Sequence, residues 1–241
     1  MKRRPEPELM TEAEQVAAYG NADFEEPHSH FVNLLLESMP RGEDVVRALD
    51  LGCGAGDITF RLAGAFPDAV VDAVDGSAEM LKFAAGLRER KPGLSGRVRF
   101  IRSMIGDFEP GGEYGLIVSN SLLHHLPDPA VLWDAVKRLS SPRTFLFVMD
   151  LHRPESEEEA KRLTALYASS EPEILQRDFY NSLLAAFDMG EVKARIESSW
   201  RLTGRGASAG RPGGGGARGG GCSRSWPLPS PHPIPRPPPR P

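Results

Sequence analysis

The apolar positions of this chain follow two alternating rhythms. In the first, most residues of a short run are apolar: Val45 to Leu51, Val70 to Asp75, Val98 to Arg102, Tyr114 to Asn120 and Thr144 to Leu151. Such runs read as strands buried on both faces. In the second, apolar residues recur three and four apart: Ile58, Leu62, Ala65 and Phe66, then Met80, Leu81 and Ala84, then Leu132, Ala135, Val136 and Leu139. This period predicts helices with one buried stripe. Ser77 is placed to cap the second of them, and Asp128 with Pro129 to open the third. The crossover "SMIGDFEPGG" is short and glycine-containing and need not be helical. Strands alternating with helices imply right-handed crossovers and a mostly parallel sheet with helices on both faces, an α/β doubly wound architecture.

The flanks carry helical patterns only. "TEAEQVAAY" offers Thr11 as an N-cap with Glu14 three residues later, the pattern of a capping box. In "HSHFVNLLLESMP" Phe31, Leu34 and Leu35 share a face, and Pro40 with Gly42 ends the helix. Past the fifth strand, helices are expected roughly from Glu157 to Ser169, from Pro172 to Phe187, and briefly near Val192 to Ile196, with no further strand. From Gly204 onward 20 of 38 residues are Gly or Pro and none is acidic, so this tail is expected to be disordered, with "PLPSPHPIPRPPPRP" in polyproline II, a candidate ligand for SH3 or WW domains. The organisation expected is a helical cap over 1–44, an α/β domain over 45–200 and a tail over 201–241.

Length and charge narrow the classes. At 241 residues the chain can bury one sizeable core. The formal charge is -4, yet six arginines and no acid lie between Gly204 and Pro241, which leaves the body at -10. An acidic body argues against a nucleic-acid partner. Cys53 and Cys222 form neither a disulfide framework nor a zinc-spaced cluster, usage that suits a reducing cytoplasm. "MKRRPEPEL" leads into proline and glutamate instead of an apolar run, and no stretch approaches the ~18 apolar residues of a membrane span. A cytoplasmic protein with no membrane segment is expected.

The chemistry is concentrated in "LDLGCGAGDI". Gly52, Gly54 and Gly56 follow the first strand, where an open parallel sheet places its ligand, and they allow a tight turn and close approach of the backbone. A dinucleotide fingerprint requires a third glycine where Asp57 stands, and no Gly-Lys-Ser/Thr follows for a P-loop. Asp50 would repel a pyrophosphate but could hold an ammonium group. Asp75 closes the second strand, the place of an acid that accepts from ribose hydroxyls. A ribonucleoside with a cationic amino-acid end is implied, and S-adenosylmethionine has these features.

On "ALDLGCGAGDITFRLA", "VVDAVDGSAEML" and "LIVSNSLLHHLPDP" the chain resembles the class I S-adenosylmethionine-dependent methyltransferases, over Val45 to Leu151 and more loosely to about Ile196. The resemblance implies a Rossmann-like sheet. It places Asp50 and Gly52 to Gly56 at the methionine end, Asp75 on the ribose, Gly76 and Met80 beside the adenine, and the Asn120 carbonyl at the sulfonium side, with Tyr19 and the N-terminal helices as a cap. Two departures from the family pattern stand out. Met104 occupies the place of the acid that accepts from the adenine amine, so either Asp107 substitutes or backbone groups of Met104 and Ile105 read the base. The sixth and seventh strands of the family are also missing, which would leave "TFLFVMDL" as an unprotected edge.

His124 and His125 follow the fourth strand, where an acceptor would stand, and are candidate general bases. Neither they nor "HSH" at His28 to His30 has a carboxylate at ligand spacing, and Asp150 belongs to another strand end, so no metal is expected. Arg177, Asp178 and Tyr180 lie where a lid could form, although a solvated amphipathic helix would show the same pattern. The function expected is methyl transfer to a small-molecule acceptor. A catalytically inactive binding protein of the same fold is the alternative, and a nicotinamide-dependent oxidoreductase is disfavoured by Asp50 and Asp57.

Overall fold

The computed structural model describes residues 1–201 apart from positions 41, 43 and 95. Five strands, β1 (Arg47–Leu51), β2 (Val70–Asp75), β3 (Val98–Arg102), β4 (Leu116–Asn120) and β5 (Phe145–Met149), form one sheet in the order β3-β2-β1-β4-β5. All four pairings are parallel. The order reverses between β1 and β4, so the carboxyl ends of these two strands diverge into a crevice.

Eight helices accompany the sheet among the described residues: α1 (Ala13–Asn21), α2 (Glu25–Ser38), α3 (Asp57–Ala65), α4 (Ala78–Glu89), α5 (Ala130–Leu139), α6 (Glu157–Tyr167), α7 (Glu173–Ala185) and α8 (Met189–Arg201). The pleat divides the core. Leu49, Leu51, Val74 and Ile117 face the α5 stripe of Leu132, Ala135, Val136 and Leu139, with Val192 and Ile196 of α8 against the same cluster. Ala48, Val71, Leu116 and Val118 face Phe31 and Leu35 of α2 and Ile58 and Leu62 of α3.

The doubly wound architecture, the strands and the non-helical third crossover agree with the sequence pattern, while several helix starts do not. No Thr11 capping box forms: Glu12 occupies the N-cap of α1 and makes no side-chain cap. α2 begins at Glu25, ahead of the expected "HSH", because Asp23 Oδ1 accepts from the Glu25 N–H at 2.9 Å. Asp128 Oδ1 accepts from Ala130 N at 3.0 Å, one position off, because Pro129 itself takes the N-cap of α5. Ser77 caps α4 as expected, through Met80 N at 3.2 Å. The short helix near Val192 is α8, 13 residues long. Its start is set by a reciprocal box in which Asp188 Oδ1 accepts from Glu191 N and Glu191 Oε2 accepts from Asp188 N. The tail and its polyproline segment lie outside the described residues.

A buried polar anchor ties the amino-terminal half of the sheet together. Asp72 of β2 accepts from Arg47 at 2.8 Å, from Arg99 at 2.5 and 2.8 Å, and from the Tyr114 hydroxyl at 2.8 Å. It joins β1, β2, β3 and the entry to β4 away from the crevice.

Candidate cofactor site and its strap

The crevice is a cavity of about 290 Å³ at the carboxyl ends of β1, β2 and β4. Its floor is the turn from β1 into α3. Gly52 has φ +74°, and its N–H donates to Val74 O at 2.8 Å. A Cβ there would lie 2.6 Å from Leu122 Cδ1, so a side chain is excluded both by conformation and by the neighbouring loop. At Gly54, with φ +50°, a Cβ would meet nothing within 4 Å, since that face of the turn opens into the cavity. The turn is held by Asp75: Oδ2 accepts from Gly54 N at 2.9 Å and Oδ1 from Ser77 N at 2.8 Å. Burial nevertheless raises the Asp75 carboxyl above its ordinary range, against those two hydrogen bonds.

Asp50, at the end of β1, is 1% exposed and accepts from the Thr59 hydroxyl at 2.6 Å. No salt bridge reaches it among the described residues. Burial pushes its carboxyl up to about 7, with the Thr59 hydrogen bond opposing and the Asp75 charge adding. This is a carboxylate lacking a cation, and it fits the ammonium end of a cationic nucleoside. Tyr19 of α1 closes the cavity beside Phe24, ring centroids 4.8 Å apart. Its hydroxyl is pushed up to about 12 by burial and by the charges of Asp57, Asp75 and Asp50. Cys53 is buried, and burial raises its thiol well above the ordinary value, so it packs instead of reacting.

At the end of β4 the chain turns sharply. Ser121, with φ 53°, is the one non-glycine residue at positive φ among the described residues, a conformation costing about 1–2 kcal/mol. The turn sends Leu122 onto Gly52 and starts a 3₁₀ turn, Leu123–His125.

Residues 1–10 form an extended strap over this loop. Arg3 donates to the carbonyls of His124 (2.8 Å), Leu126 (2.9 Å) and Ala185 (2.5 Å), and its guanidinium lies 3.9 Å from the Phe187 ring centroid. Ser77 Oγ donates to Met10 O, and Glu8, Leu9 and Met10 form a wall of the cavity.

The cavity gathers Tyr19, Asp50, Gly52, Gly54, Gly56, Asp75, Gly76, Met80, Met104, Ile105 and Asn120 into its lining. Asp107 is exposed and lies outside it, so of the two routes to the adenine only Met104 and Ile105 are at the cavity. The two histidines separate: His125 lines the cavity, whereas His124 is 2% exposed and does not. The expectation that no carboxylate stands near them is overturned by the tertiary structure. Asp150, at the end of the adjacent β5, meets His124 Nδ1 at 2.6 Å, and Glu6 of the strap reaches both rings. Burial raises the Glu6 carboxyl, and burial followed by the neighbouring His124 lowers His125 to about 4.

Other cavity residues carried no sequence signal for this place. His28 and Arg61 both pair with Asp57 Oδ2 at 2.7 Å, and Arg61 also pairs with Glu25. The residue that spoils the dinucleotide fingerprint is thus the hub of an ion cluster on the cavity wall. Asp178 of α7 accepts from Gln15 of α1 at 2.7 Å, tying the amino-terminal helix to the post-sheet helices.

A parallel sheet with its glycine turn, a carboxylate at the end of each of two adjacent strands and an order reversal beside them define a doubly wound domain that binds a cationic nucleoside. The chain belongs to the methyltransferase domain family, whose model matches residues 43–187, within the class I S-adenosylmethionine-dependent methyltransferases. S-adenosylmethionine is the cofactor that this membership brings with it.

Among similar proteins, trans-aconitate 2-methyltransferase of Streptomyces avermitilis is 36% identical over 97 residues, 40% of this chain and 36% of that protein. Ubiquinone biosynthesis O-methyltransferase of Methylococcus capsulatus is 35% identical over 108 residues, 44% of each chain. The matched stretches thus span less than half of these relatives. In fold, the plantazolicin methyltransferase BamL, solved with SAH, superposes with a TM-score of 0.61 at 16% identity over 79% of this chain and 68% of that one.

Proposed function

We propose that the protein transfers a methyl group from S-adenosylmethionine to a small-molecule acceptor that carries no concentrated negative charge. The observation supporting the donor is the cradle itself, a buried unpaired carboxylate at Asp50 beside a side-chain-free turn and a second carboxylate at Asp75. Asp50 would hold the ammonium group and Asp75 the ribose hydroxyls. Gly76, Met80, Met104 and Ile105 would flank the adenine, and the Asn120 carbonyl and Tyr19 would border the sulfonium side. Bound there, the cofactor supplies a methyl group already activated by its sulfonium charge. The chain's own contribution is orientation and charge placement. The roles of His124 and His125 as general bases are not carried forward, since His124 does not line the cavity and is held by Asp150, and burial lowers His125 to about 4, a weak base.

The charge of the cavity supports the acceptor class. Its wall carries the carboxyl groups of Glu8, Asp23, Glu25, Asp50, Asp57 and Asp75, and the one guanidinium among the described lining residues, Arg61, is paired with Asp57 and Glu25. A tricarboxylate such as trans-aconitate would find no free cation among the described lining residues. A neutral or cationic acceptor meets no such penalty.

Calorimetric titration of the full chain with S-adenosylhomocysteine and with NAD tests the donor, and transfer of labelled methyl groups to fractionated metabolites tests the reaction. The expected results are binding of S-adenosylhomocysteine alone and label in an acceptor other than trans-aconitate. Binding without transfer to any fraction would favour the inactive binding protein, and NAD binding in its place would favour an oxidoreductase.

A pH dependence follows from Asp50. In the free protein its carboxyl is protonated below about pH 7. An ammonium ligand favours the carboxylate, so binding below that pH releases a proton and affinity falls as pH falls. The loss approaches tenfold per pH unit, about 1.4 kcal/mol. Titration at pH 8 and pH 5.5 should show this slope in the wild type and its loss in Asp50→Asn.

A further inference from the structure

We propose that Glu6, His124 and His125 form a binding site for one divalent transition-metal ion of the zinc class, which clasps the amino-terminal strap to the loop after β4. The inference does not depend on the methyl-transfer reading. It rests on three lone pairs that converge with no donor between them.

The partner on the far side of each ring sets its tautomer. His124 Nδ1 lies 2.6 Å from Asp150 Oδ1. That carboxylate is itself fixed by the N–H groups of Leu123 at 2.6 Å and Leu151 at 2.7 Å, so the His124 proton sits on Nδ1. In the neutral ring the Nε2 lone pair then faces Glu6 Oε1 at 3.6 Å. His125 Nδ1 is buried and has no hydrogen-bond partner. With the ring proton on Nε2, the Nδ1 lone pair faces Glu6 Oε1 at 3.3 Å. Glu6 Oε1 accepts from the Ser182 hydroxyl at 3.0 Å, which orients it. The rings stand beside one another with centroids 4.3 Å apart.

Three acceptors brought together out of water are costly unless a positive centre lies among them. A proton on Glu6 could serve one nitrogen and leave the other bare. A metal ion serves all three. The three candidate ligand atoms lie within 4.8 Å of one another; Glu6 Oε1 stands 3.3 and 3.6 Å from the two nitrogens, close to the edge of a tetrahedron with bonds of about 2.0–2.1 Å, and the two rings would draw together to close the third edge around an ion. Two imidazoles and one carboxylate, without thiolate or carbonyl ligands, suit zinc, cobalt or nickel better than calcium or magnesium. The outer partners are also present, with Asp150 behind His124 and Ser182 on Glu6. Side-chain exposures of 2%, 16% and 12% for His124, His125 and Glu6 shield most of the site, and His125 borders the cavity, from which a water would supply the fourth ligand of a tetrahedral ion. One ligand comes from the strap and two from the β4 loop, so an ion here would fix the wall that Glu8, Leu9 and Met10 present to the cavity.

The test is titration of chelator-treated full-length protein with cobalt(II), followed by visible absorption and competition with zinc(II). One equivalent should bind, with the intense bands of a four-coordinate site, and zinc should displace it. Glu6→Gln and His125→Asn should abolish the bands, and Asp150→Asn should weaken binding 10–100-fold. Retained binding of S-adenosylhomocysteine would show that a silent variant is folded, and Glu6→Gln on the strap remains informative if a loop variant fails to fold. Folded wild-type protein that takes up no stoichiometric cobalt or zinc would overturn the proposal and leave a proton on Glu6 in the ion's place. So would an undiminished spectrum in Glu6→Gln and His125→Asn. Wild type that binds cobalt but not S-adenosylhomocysteine would support the metal site while removing the proposed cofactor.

Discussion

Asp72→Ala is expected to lower the unfolding free energy by about 3 kcal/mol. The carboxylate is 2% exposed and collects four hydrogen bonds from two guanidiniums and a phenol. Its removal leaves the Tyr114 hydroxyl, on a residue 1% exposed, without an acceptor, and strands the less exposed of the two arginines. Removing one partner of a buried ionic cluster costs about 3–5 kcal/mol. The lower end applies because the Arg99 side chain is 54% exposed and can turn to water. For a domain of this size the loss corresponds to roughly 6–12 °C in melting temperature. Thermal unfolding with urea denaturation as a cross-check measures it. The sign with pH is fixed too: burial raises the Asp72 carboxyl, but hydrogen bonds from Arg99, Tyr114 and Arg47 outweigh it and hold the group below its ordinary value. A depressed folded-state value contributes stability above the unfolded value near 4, and that contribution disappears as pH falls through the folded one. The gap between wild type and variant should therefore close in acid.

Asp75→Ala should act on ligand affinity more than on the fold. We expect binding of S-adenosylhomocysteine to weaken by about 1–3 kcal/mol, roughly fivefold to 150-fold, through loss of charge-assisted hydrogen bonds. Both oxygens already hold N–H groups of the cradle, Gly54 and Ser77, so the variant also loosens the turn that the ligand must meet. Calorimetry gives the affinity, and the thermal shift at saturating ligand gives an independent reading. An unchanged dissociation constant would remove Asp75 from the site.

The sheet and the glycine cradle were legible because their signals are local. β2 and β3 begin and end where their apolar runs do, and Asp50, the glycines and Asp75 are fixed by their places at strand ends. β1, β4 and β5 are shorter than their runs, since Val45, Tyr114 and Thr144 are held by packing and turn contacts outside the ladder. α8 was underestimated because its opening signal is polar: the Asp188–Glu191 box lies outside the apolar period.

The strap was not legible at all. Arg3 finds backbone carbonyls more than a hundred residues away, and a carbonyl leaves no trace in composition. For the same reason Glu6 and Asp150 could not be assigned to the histidines from spacing, because only the parallel pairing of β4 with β5 and the path of the strap bring them together.

The tight fit between Gly52 and Leu122 has an evolutionary side. Ser121 pays in backbone conformation to aim Leu122 at a position where the facing turn has no side chain. Any lineage that enlarges one partner must shrink or redirect the other in the same step, so drift at these two loops is epistatic and viable paths between sequences run through paired replacements.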